Sequence, residues 1–259
     1  ADNKLIDYGG VTVFKSGFID KQQGYSLNSV FGLKYCGKIQ TEEQLRKYKY
    51  QYYNSNGIGI PSDLRLGDNM YEDVNGDGKL DEKDYVYLGS DDPKISYSFN
   101  MGLEWNNFDL SAVFQGVAKR TIFRDSSNDN YRIPMRAAHL NSTTQSVGDV
   151  WSPENRDARY PTYTNISSIN NYNYQCSSWS VENGNYLRLK SLTLGYNFPA
   201  SILNKMKVIS KVRIYVSGTD LWEVSKINDG WDPEASRKVS GNGRFPFNRT
   251  CTVGLDLTF

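Results

Sequence analysis

Large apolar residues alternate with polar residues or glycine along several segments of this chain. In the clearest one, Ile95–Trp105, every odd position is large and apolar and every even position is polar or Gly. An alternation with a period of two predicts a β-strand that has one apolar and one polar face. The segment also has about the ten residues that a tilted strand needs to cross a lipid bilayer.

Four more segments alternate in the same way, at 108–117, 192–198, 212–217 and 251–259. The first of them follows Ile95–Trp105 after only Asn106-Asn107, so we predict a hairpin. Leu187 and Leu189 lie on the opposite parity to Leu192 and Leu194. If that strand is continuous, it must contain a β-bulge near Lys190-Ser191.

Short and long connections alternate between these strands. Asn106-Asn107 and 199–210 are short, whereas 118–185 and 223–247 are long. Outer-membrane barrels have short periplasmic turns and longer external loops. Counting back from Phe259 at the periplasmic end assigns every connection to one side without conflict, and places both long connections outside.

The polar sides of the strands carry Glu104, Asp109, Gln115, Arg213 and Asp256. A small barrel needs close-packed side chains inside, so an inner face this polar predicts a wide lumen that holds water or a plug. Some six or seven strands cannot close such a lumen. We therefore predict an all-β fold, an antiparallel transmembrane β-barrel segment in which 1–259 is the C-terminal part and further strands lie upstream. For any single segment, the alternative is a half-buried strand of a soluble sandwich.

Composition and charge exclude several classes of function. The formal net charge is +1, with 30 basic and 29 acidic residues, which gives no reason to expect a nucleic-acid partner. The lone His139 and the three scattered cysteines argue against His-ligated metals, Ser-His-Asp catalysis and a disulfide framework. The chain contains no apolar run of about 18 residues, so the sequence predicts no transmembrane helix. We expect neither an enzyme nor an organic cofactor.

The segment Asp73–Asp84 has the residue order of a calcium-binding loop. Gly78 stands at the sixth position, where the chain must turn sharply. The oxygen donors at alternate positions are Asp73, Asn75, Asp77, the Lys79 carbonyl, Asp81 through a water, and Asp84. We predict a structural Ca²⁺ that stiffens an external loop at 68–92. The last donor is Asp and not Glu, which shortens its reach. A polar turn that binds nothing and a catalytic metal are the alternatives.

Three aromatic residues, Trp151, Tyr160 and Trp231, fall in the long connections. Aromatic faces can stack on sugar rings, so we predict contact with a substrate or with a protein that covers the barrel. Packing within the loops is the alternative.

Ordered stretches along nearly the whole chain carry a family resemblance. They include Tyr71-Glu-Asp-Val-Asn-Gly-Asp-Gly-Lys-Leu80, Trp151-Ser-Pro-Glu-Asn155, Glu182-Asn-Gly-Asn-Tyr-Leu-Arg-Leu-Lys190, Gly230-Trp-Asp-Pro-Glu234 and Thr252-Val-Gly-Leu-Asp-Leu-Thr-Phe259. Together they resemble the C-terminal barrel segment of SusC/RagA-type TonB-linked outer-membrane transporters.

The resemblance implies a location in the outer membrane of a Gram-negative bacterium and a barrel of about twenty-two strands. It implies an N-terminal plug that contacts the TonB complex, outer-membrane lipid around the strands, and a SusD-like lipoprotein lid. The implied cargo is an oligosaccharide or a peptide. The terminal Phe259 resembles the signal by which such barrels are recognised for assembly. The plug and most of the strands have no counterpart among these residues.

Two other classes of function remain open from the sequence. One is a secreted β-sandwich that binds glycans through aromatic loops, and the other is a secreted glycan hydrolase with a calcium-stiffened loop. Either would pack its apolar faces against each other in a dry interior, whereas the barrel would leave them facing lipid.

Overall fold

The computed structural model describes residues 4–7, 9, 13–16, 19–27, 29–52, 59–123, 147–204, 208–227, 232–234 and 248–259. The strands in chain order are β1 (Val13–Ser16), β2 (Ile19–Gln22), β3 (Ser29–Gly32), β4 (Lys34–Lys38), β5 (Asn69–Glu72), β6 (Val86–Ser90), β7 (Ile95–Trp105), β8 (Phe108–Ala118), β9 (Thr121–Phe123), β10 (Val181–Asn183), β11 (Tyr186–Asn197), β12 (Lys211–Ser225) and β13 (Thr250–Thr258). The helices are α1 (Glu42–Tyr52), α2 (Ser167–Asn173), α3 (Ala200–Leu203) and a 3₁₀ helix at Glu82–Asp84. None of the helices in these ranges is long and apolar enough to span a bilayer.

The described residues form two compact units. The first is drawn from 1–92 and 121–182 and contains three small sheets. The sheets β1-β2-β3-β6 and β4-β5 are antiparallel, and β9 pairs with β10. The second is drawn from 93–120, 183–235 and 245–259, and its strands form one antiparallel sheet in the order β13-β12-β11-β8-β7.

Helix α1 belongs to the first unit and begins at a side-chain cap. The Thr41 hydroxyl accepts from the Gln44 amide at 3.2 Å, and Gln44 Oε1 accepts from the Gln40 amide at 2.8 Å. Such caps satisfy amides that have no partner within the helix. Tyr48 and Tyr52, four residues apart, lie on one helix face and are both buried.

The core of the first unit is rich in tyrosine. Apolar and aromatic residues from α1, α2, β5 and the connections pack together, namely Leu33, Ile39, Tyr48, Tyr52, Leu64, Tyr71, Leu80 and Tyr172. The tyrosine hydroxyls are paired inside this core. Tyr48 Oη lies 2.7 Å from Tyr172 Oη and accepts from the Tyr71 amide at 2.8 Å, so no water is needed to satisfy them.

The second unit confirms the strands that the alternating pattern predicts. β7 and β8 pair in register from Ile95↔Ala118 to Trp105↔Phe108, with Asn106 in the left-handed region at φ 53° in the turn between them. β11 pairs with β8 on one side and with β12 on the other, and β13 forms the next strand beyond β12. The pairing is antiparallel throughout.

The predicted bulge is also present. The register of β11 shifts between Leu189 and Ser191 against both neighbouring strands. In β12 the shift falls opposite, between Thr219 and Trp222, where Asp220 has a φ of 54°. Because of the extra residue, Leu187 and Leu189 lie on the same face of the sheet as Leu192 and Leu194. β11 therefore continues as one strand although its alternation shifts by one residue.

Candidate functional site

The pairing register aligns the apolar positions of each strand with those of its neighbours across the five-stranded sheet. Phe99 of β7 is opposite Phe114 of β8, which is opposite Leu189 of β11, which is opposite Trp222 of β12. The paired rows on this face hold apolar residues, tyrosine, cysteine and glycine, and no charged residue. We call it the apolar face; among its residues are Phe99, Met101, Leu103, Leu110, Leu192, Leu194, Ile214, Val216, Val253, Leu255 and Leu257.

The apolar face is open. Phe99 is 60% exposed, Leu103 58% and Val253 74%. A soluble monomer seldom exposes so continuous an apolar surface, because its contact with water is unfavourable. A sandwich or a hydrolase core would bury these side chains. The structure therefore contradicts the two secreted alternatives, in which the apolar stripes face a dry interior.

Aromatic side chains concentrate at one end of the apolar face. Trp105 is opposite Phe108 next to the short turn, and the Phe108 and Tyr196 rings lie 4.8 Å apart. Phe198 lies 5.4 Å from Tyr196. Trp222 stands on the same face towards the other end of β12. Aromatic belts of this kind mark the two boundaries of the hydrocarbon layer in membrane barrels.

The opposite face, which we call the polar face, carries an ion-pair network over four neighbouring strands. Arg213 of β12 binds Asp109 of β8 through two hydrogen bonds, Nη2 to Oδ2 at 2.6 Å and Nε to Oδ1 at 2.9 Å. Arg213 Nη1 also lies 3.3 Å from Asp256 Oδ2 on β13, and Asn197 of β11 donates to Asp109 Oδ1 at 2.9 Å. A two-bond arginine–carboxylate pair fixes geometry as well as charge. The network therefore ties β8, β11, β12 and β13 together.

The register places Glu104 and Gln115 on the polar face together with Asp109, Arg213 and Asp256. The prediction that these five residues share one face is confirmed. A second charge cluster, centred on Arg188 of β11, lies towards the other end of the same face. No local sequence pattern indicates this cluster, because the partners of Arg188 are 35 and 44 residues away along the chain.

The calcium-type segment Asp73–Asp84 forms a coiled loop between β5 and β6. Asp73 accepts from the Gly76 amide at 2.6 Å and from the Gly78 amide at 2.7 Å, and Asp77 accepts from the Lys79 amide at 3.0 Å. Gly76 and Gly78 have φ of 75° and 79°, which is the sharp turn that the motif requires.

Asp84, at the last ligand position, is buried and closes the loop. Its carboxylate accepts from the amides of Val74 at 2.9 Å, Asn75 at 3.3 Å and Asp81 at 2.8 Å. Across the described ranges, no three His, Cys, Asp or Glu side chains are gathered as a metal site. A carboxylate oxygen accepts more than one hydrogen bond or ligand contact, so the donors retain capacity for a cation. The metal role of this loop stays a prediction.

Two of the three predicted contact aromatics are buried within the first unit. The Trp151 indole N–H donates to Gln40 Oε1 at 3.0 Å, and its ring packs so closely over Gly67 that a Cβ there would overlap it. Tyr160 lies 6.2 Å from the Trp179 ring. Both side chains are used in loop packing and offer little surface to a cargo or a lid, whereas Trp231 lies outside the described residues. Their contact with a ligand stays a prediction.

Phe259 follows β13 and is 78% exposed. Phe259 follows Val253, Leu255 and Leu257 at the same spacing of two residues, and those three lie on the apolar face. Its role as an assembly signal stays a prediction.

The first unit also contains a buried polar cluster that no local sequence pattern indicates. The Asn173 side chain donates to Asp68 Oδ1 at 2.8 Å and accepts from the Asn69 amide at 2.8 Å, and all three residues are fully buried. Burial raises the pKa of the Asp68 carboxyl, and hydrogen bonds from Asn173 and the Arg65 amide oppose that rise. The cluster fastens α2 to the start of β5.

Comparison with known proteins finds similar sequences and a similar fold. No protein-family model matches the chain. It is 29% identical to TonB-dependent receptor P26 of Formosa agariphila over 99% of its length, and 24% identical to TonB-dependent receptor SusC of Bacteroides thetaiotaomicron over 82%. The chain is therefore similar to TonB-dependent receptors, SusC among them. A solved structure of the RagAB peptide transporter matches 97% of the chain with a TM-score of 0.70 at 21% identity, which supports the same barrel fold.

The chain spans about a quarter of the length of the relatives and of the solved structure that it matches. It covers 26% of receptor P26, 19% of SusC and 25% of the matching RagAB chain. TonB-dependent receptors are outer-membrane proteins of Gram-negative bacteria, which confirms the predicted localisation. They are receptors and transporters, which agrees with the prediction that the chain is not an enzyme.

Proposed function

We propose that this chain is the C-terminal part of a TonB-dependent importer that takes up an oligosaccharide or a peptide with a SusD-like surface lipoprotein. The relatives named as SusC and other TonB-dependent receptors support the importer class, and the likeness to the RagAB peptide transporter supports a peptide as one kind of cargo. Coupling to the TonB complex would run through the N-terminal plug that the family resemblance implies.

The observation that carries the proposal is the separation of apolar and polar residues across five paired strands. Exposing apolar side chains to water is unfavourable, whereas contact with lipid hydrocarbon chains is not, so the exposed apolar face is stable in a membrane. The polar face, with its charge networks, then lines a lumen. Such a wall lets a hydrated solute pass while lipid surrounds the outside.

The test is uptake by cells that produce the full-length receptor with its neighbouring lipoprotein. We expect a fluorescent oligosaccharide or peptide mixture to enter these cells, and entry to stop when the receptor gene is deleted or TonB is removed. Deletion of the lipoprotein alone should lower uptake at low cargo concentration. Uptake of both cargo classes that is equal with and without the receptor would contradict the proposal.

We also propose that the loop Asp73–Asp84 binds one structural Ca²⁺ through Asp73, Asn75, Asp77, the Lys79 carbonyl, Asp81 and Asp84. Alternating oxygen donors on a tightly coiled loop suit a hard cation. In the full receptor, chelation should open residues 68–92 to protease, and re-added Ca²⁺ should restore protection. Asp73→Asn with Asp77→Asn should abolish this calcium effect, whereas Asp63→Asn, outside the loop, should leave it unchanged. Cleavage that is the same with calcium and with chelator would exclude the site.

A further inference from the structure

Arg188 is a fully buried cation on the polar face of β11, and three carboxylates converge on it. Its Nε donates to Glu223 Oε2 at 2.6 Å, and Nη2 donates to Asp232 Oδ1 at 2.6 Å. Nη1 lies 3.0 Å from Glu234 Oε2. Glu223 is on the neighbouring strand β12, but Asp232 and Glu234 belong to the long connection that follows β12. A buried guanidinium of this kind is stable only while its anionic partners stay in place.

The β-bulge brings a second cation to the same point. Lys190, the residue at the register shift, lies 2.9 Å from Glu234 Oε2 and 3.1 Å from Asp220 Oδ1. Asp220 has a left-handed backbone, which a residue other than glycine adopts only where its surroundings stabilise it. Bulges commonly redirect a side chain towards a site. Here the bulge directs Lys190 to the polar face next to Arg188.

A third cation, Arg120, binds Pro233 in the middle of the segment Asp232-Pro233-Glu234. The Arg120 guanidinium, just after β8, donates to the Pro233 carbonyl, and Pro233 is itself buried. The Glu234 amide donates to Asp232 Oδ1 at 2.9 Å, which keeps the three residues in one compact turn. Each residue of Asp232-Pro233-Glu234 is therefore bonded to a basic side chain of the sheet or its margin.

The charges of the two sides are complementary. The sheet contributes Arg120, Arg188 and Lys190 against Asp220 and Glu223, a formal charge of +1, and the segment contributes two carboxylates. Paired, partly buried charges are screened by salt much less than exposed ones. The segment Asp232-Pro233-Glu234 is therefore held both by electrostatic attraction to the basic residues of the sheet and by specific hydrogen bonds.

We propose that Asp232-Pro233-Glu234 is an anchor that fastens the β12–β13 connection to the polar face, and that Arg188 is the positioning residue that holds it. Lys190 and Arg120 also bind this segment, through Glu234 and the Pro233 carbonyl. In the importer proposed above, the anchor sets where an external connection leaves the wall of the lumen. That consequence rests on the proposed function, whereas the anchoring itself is tested separately.

The test measures the accessibility of residue 233 in the folded full-length receptor in membranes. Pro233→Cys is introduced with Cys36→Ser and Cys251→Ser, and modification of residue 233 by a hydrophilic maleimide is followed by peptide mass spectrometry. We expect slow modification in this parent. Arg188→Gln should accelerate it at least tenfold, Arg188→Lys should give an intermediate rate because one ammonium cannot satisfy three carboxylates, and Asp232→Asn with Glu234→Gln should accelerate it without burying an unpaired arginine.

The matched control is Arg213→Gln, which removes the other arginine network of the same face without touching the segment. We expect it to leave the modification rate within about twofold of the parent. Heat-dependent gel mobility of the folded barrel verifies that each variant is assembled. Equal rates in the parent, Arg188→Gln and the double variant would overturn the proposal. An equal acceleration by Arg213→Gln would also overturn it, because it would indicate general loosening of the sheet. Loss of uptake with unchanged modification would contradict the anchor and leave the importer proposal intact.

Discussion

Gly195 lies on the polar face of β11, directly beneath the bridge between Asp109 on one neighbouring strand and Arg213 on the other. A Cβ at this position would stand 2.5 Å from Asp109 Oδ2 and 2.6 Å from Arg213 Nε. The arginine can reach across the strand only because the residue under it has no side chain. At this scale, a glycine that looks like a weak point in an alternating strand is a requirement of the ion pair above it.

We expect Gly195→Ala to displace the Asp109–Arg213 pair and to destabilise the folded sheet by about 1–3 kcal/mol, the usual cost of overpacking a close contact. Gly102→Ala is the matched control, since Gly102 lies on the polar face of β7 with open space where its Cβ would be. The measurement is the denaturant midpoint of the refolded receptor in detergent. Equal midpoints for the two variants would show that the bridge does not depend on Gly195.

Tyr48 offers a second test at the scale of a single residue. Its hydroxyl accepts from the buried Tyr71 amide and pairs with the Tyr172 hydroxyl. Tyr48→Phe keeps the ring but leaves those groups unpaired, which should cost about 1–3 kcal/mol of stability in the first unit. Tyr50→Phe on the same helix is the control, because Tyr50 is 88% exposed. Hydrogen exchange of β5 amides should accelerate in the first variant only, and equal exchange in both would contradict the role of the hydroxyl.

At the scale of the elements, the tyrosine core predicts how the first unit responds to alkali. Burial raises the pKa of Tyr48, Tyr71 and Tyr172 above the ordinary value of 10.0. Above that value the unfolded chain releases phenol protons that the folded unit retains, so the free energy of unfolding falls as pH rises through 10 and upwards.

We therefore expect buried tyrosines to ionise late, together with loss of hydrogen-exchange protection in α1 and β5. The measurement is tyrosinate absorbance after a pH jump, followed alongside exchange. Exposed tyrosines should ionise at once and the buried ones slowly. If all of them ionised at once near pH 10 while protection persisted, the buried hydroxyl network would not exist as described.

The strands of the sheet could be predicted because their signal is local. Alternation in Ile95–Trp105 and the parity change around Lys190 are visible within a few residues, and both are present in the structure. Helix α1 was not predicted, although Thr41-Glu-Glu-Gln44 is a capping sequence and no Gly or Pro follows before Tyr52. That signal was available and was missed.

The rest of the fold could not be predicted, because it depends on contacts between distant residues. Asp68 meets Asn173 across 105 positions, and Arg188 meets Asp232 across 44. Neither pairing leaves a periodic pattern in the sequence. The calcium-type loop lies between these cases. Its coil and its tight glycines follow from the motif, but Asp84 also serves as the buried acceptor that closes the loop.

At the scale of the whole molecule, function depends on the surroundings of each face of the five-stranded sheet. The apolar face is continuous from β7 to β13, and the polar face holds two charge networks. The chain spans about a quarter of the length of the TonB-dependent receptors to which it is similar. In the proposed importer, further strands would pair with the two edges of the sheet, β7 and β13.

The most direct measurement compares neighbouring residues of opposite parity in the full-length receptor in lipid nanodiscs. Nitroxide labels are placed at Phe99→Cys and Asn100→Cys, and at Val253→Cys and Thr252→Cys, and their relaxation by oxygen dissolved in lipid and by a water-soluble nickel complex is recorded. We expect residues 99 and 253 to respond to oxygen and residues 100 and 252 to the nickel complex. If residues 99 and 253 were instead shielded from oxygen, or if both members of each pair met water equally, the apolar face would not face lipid, and the transporter account would be wrong.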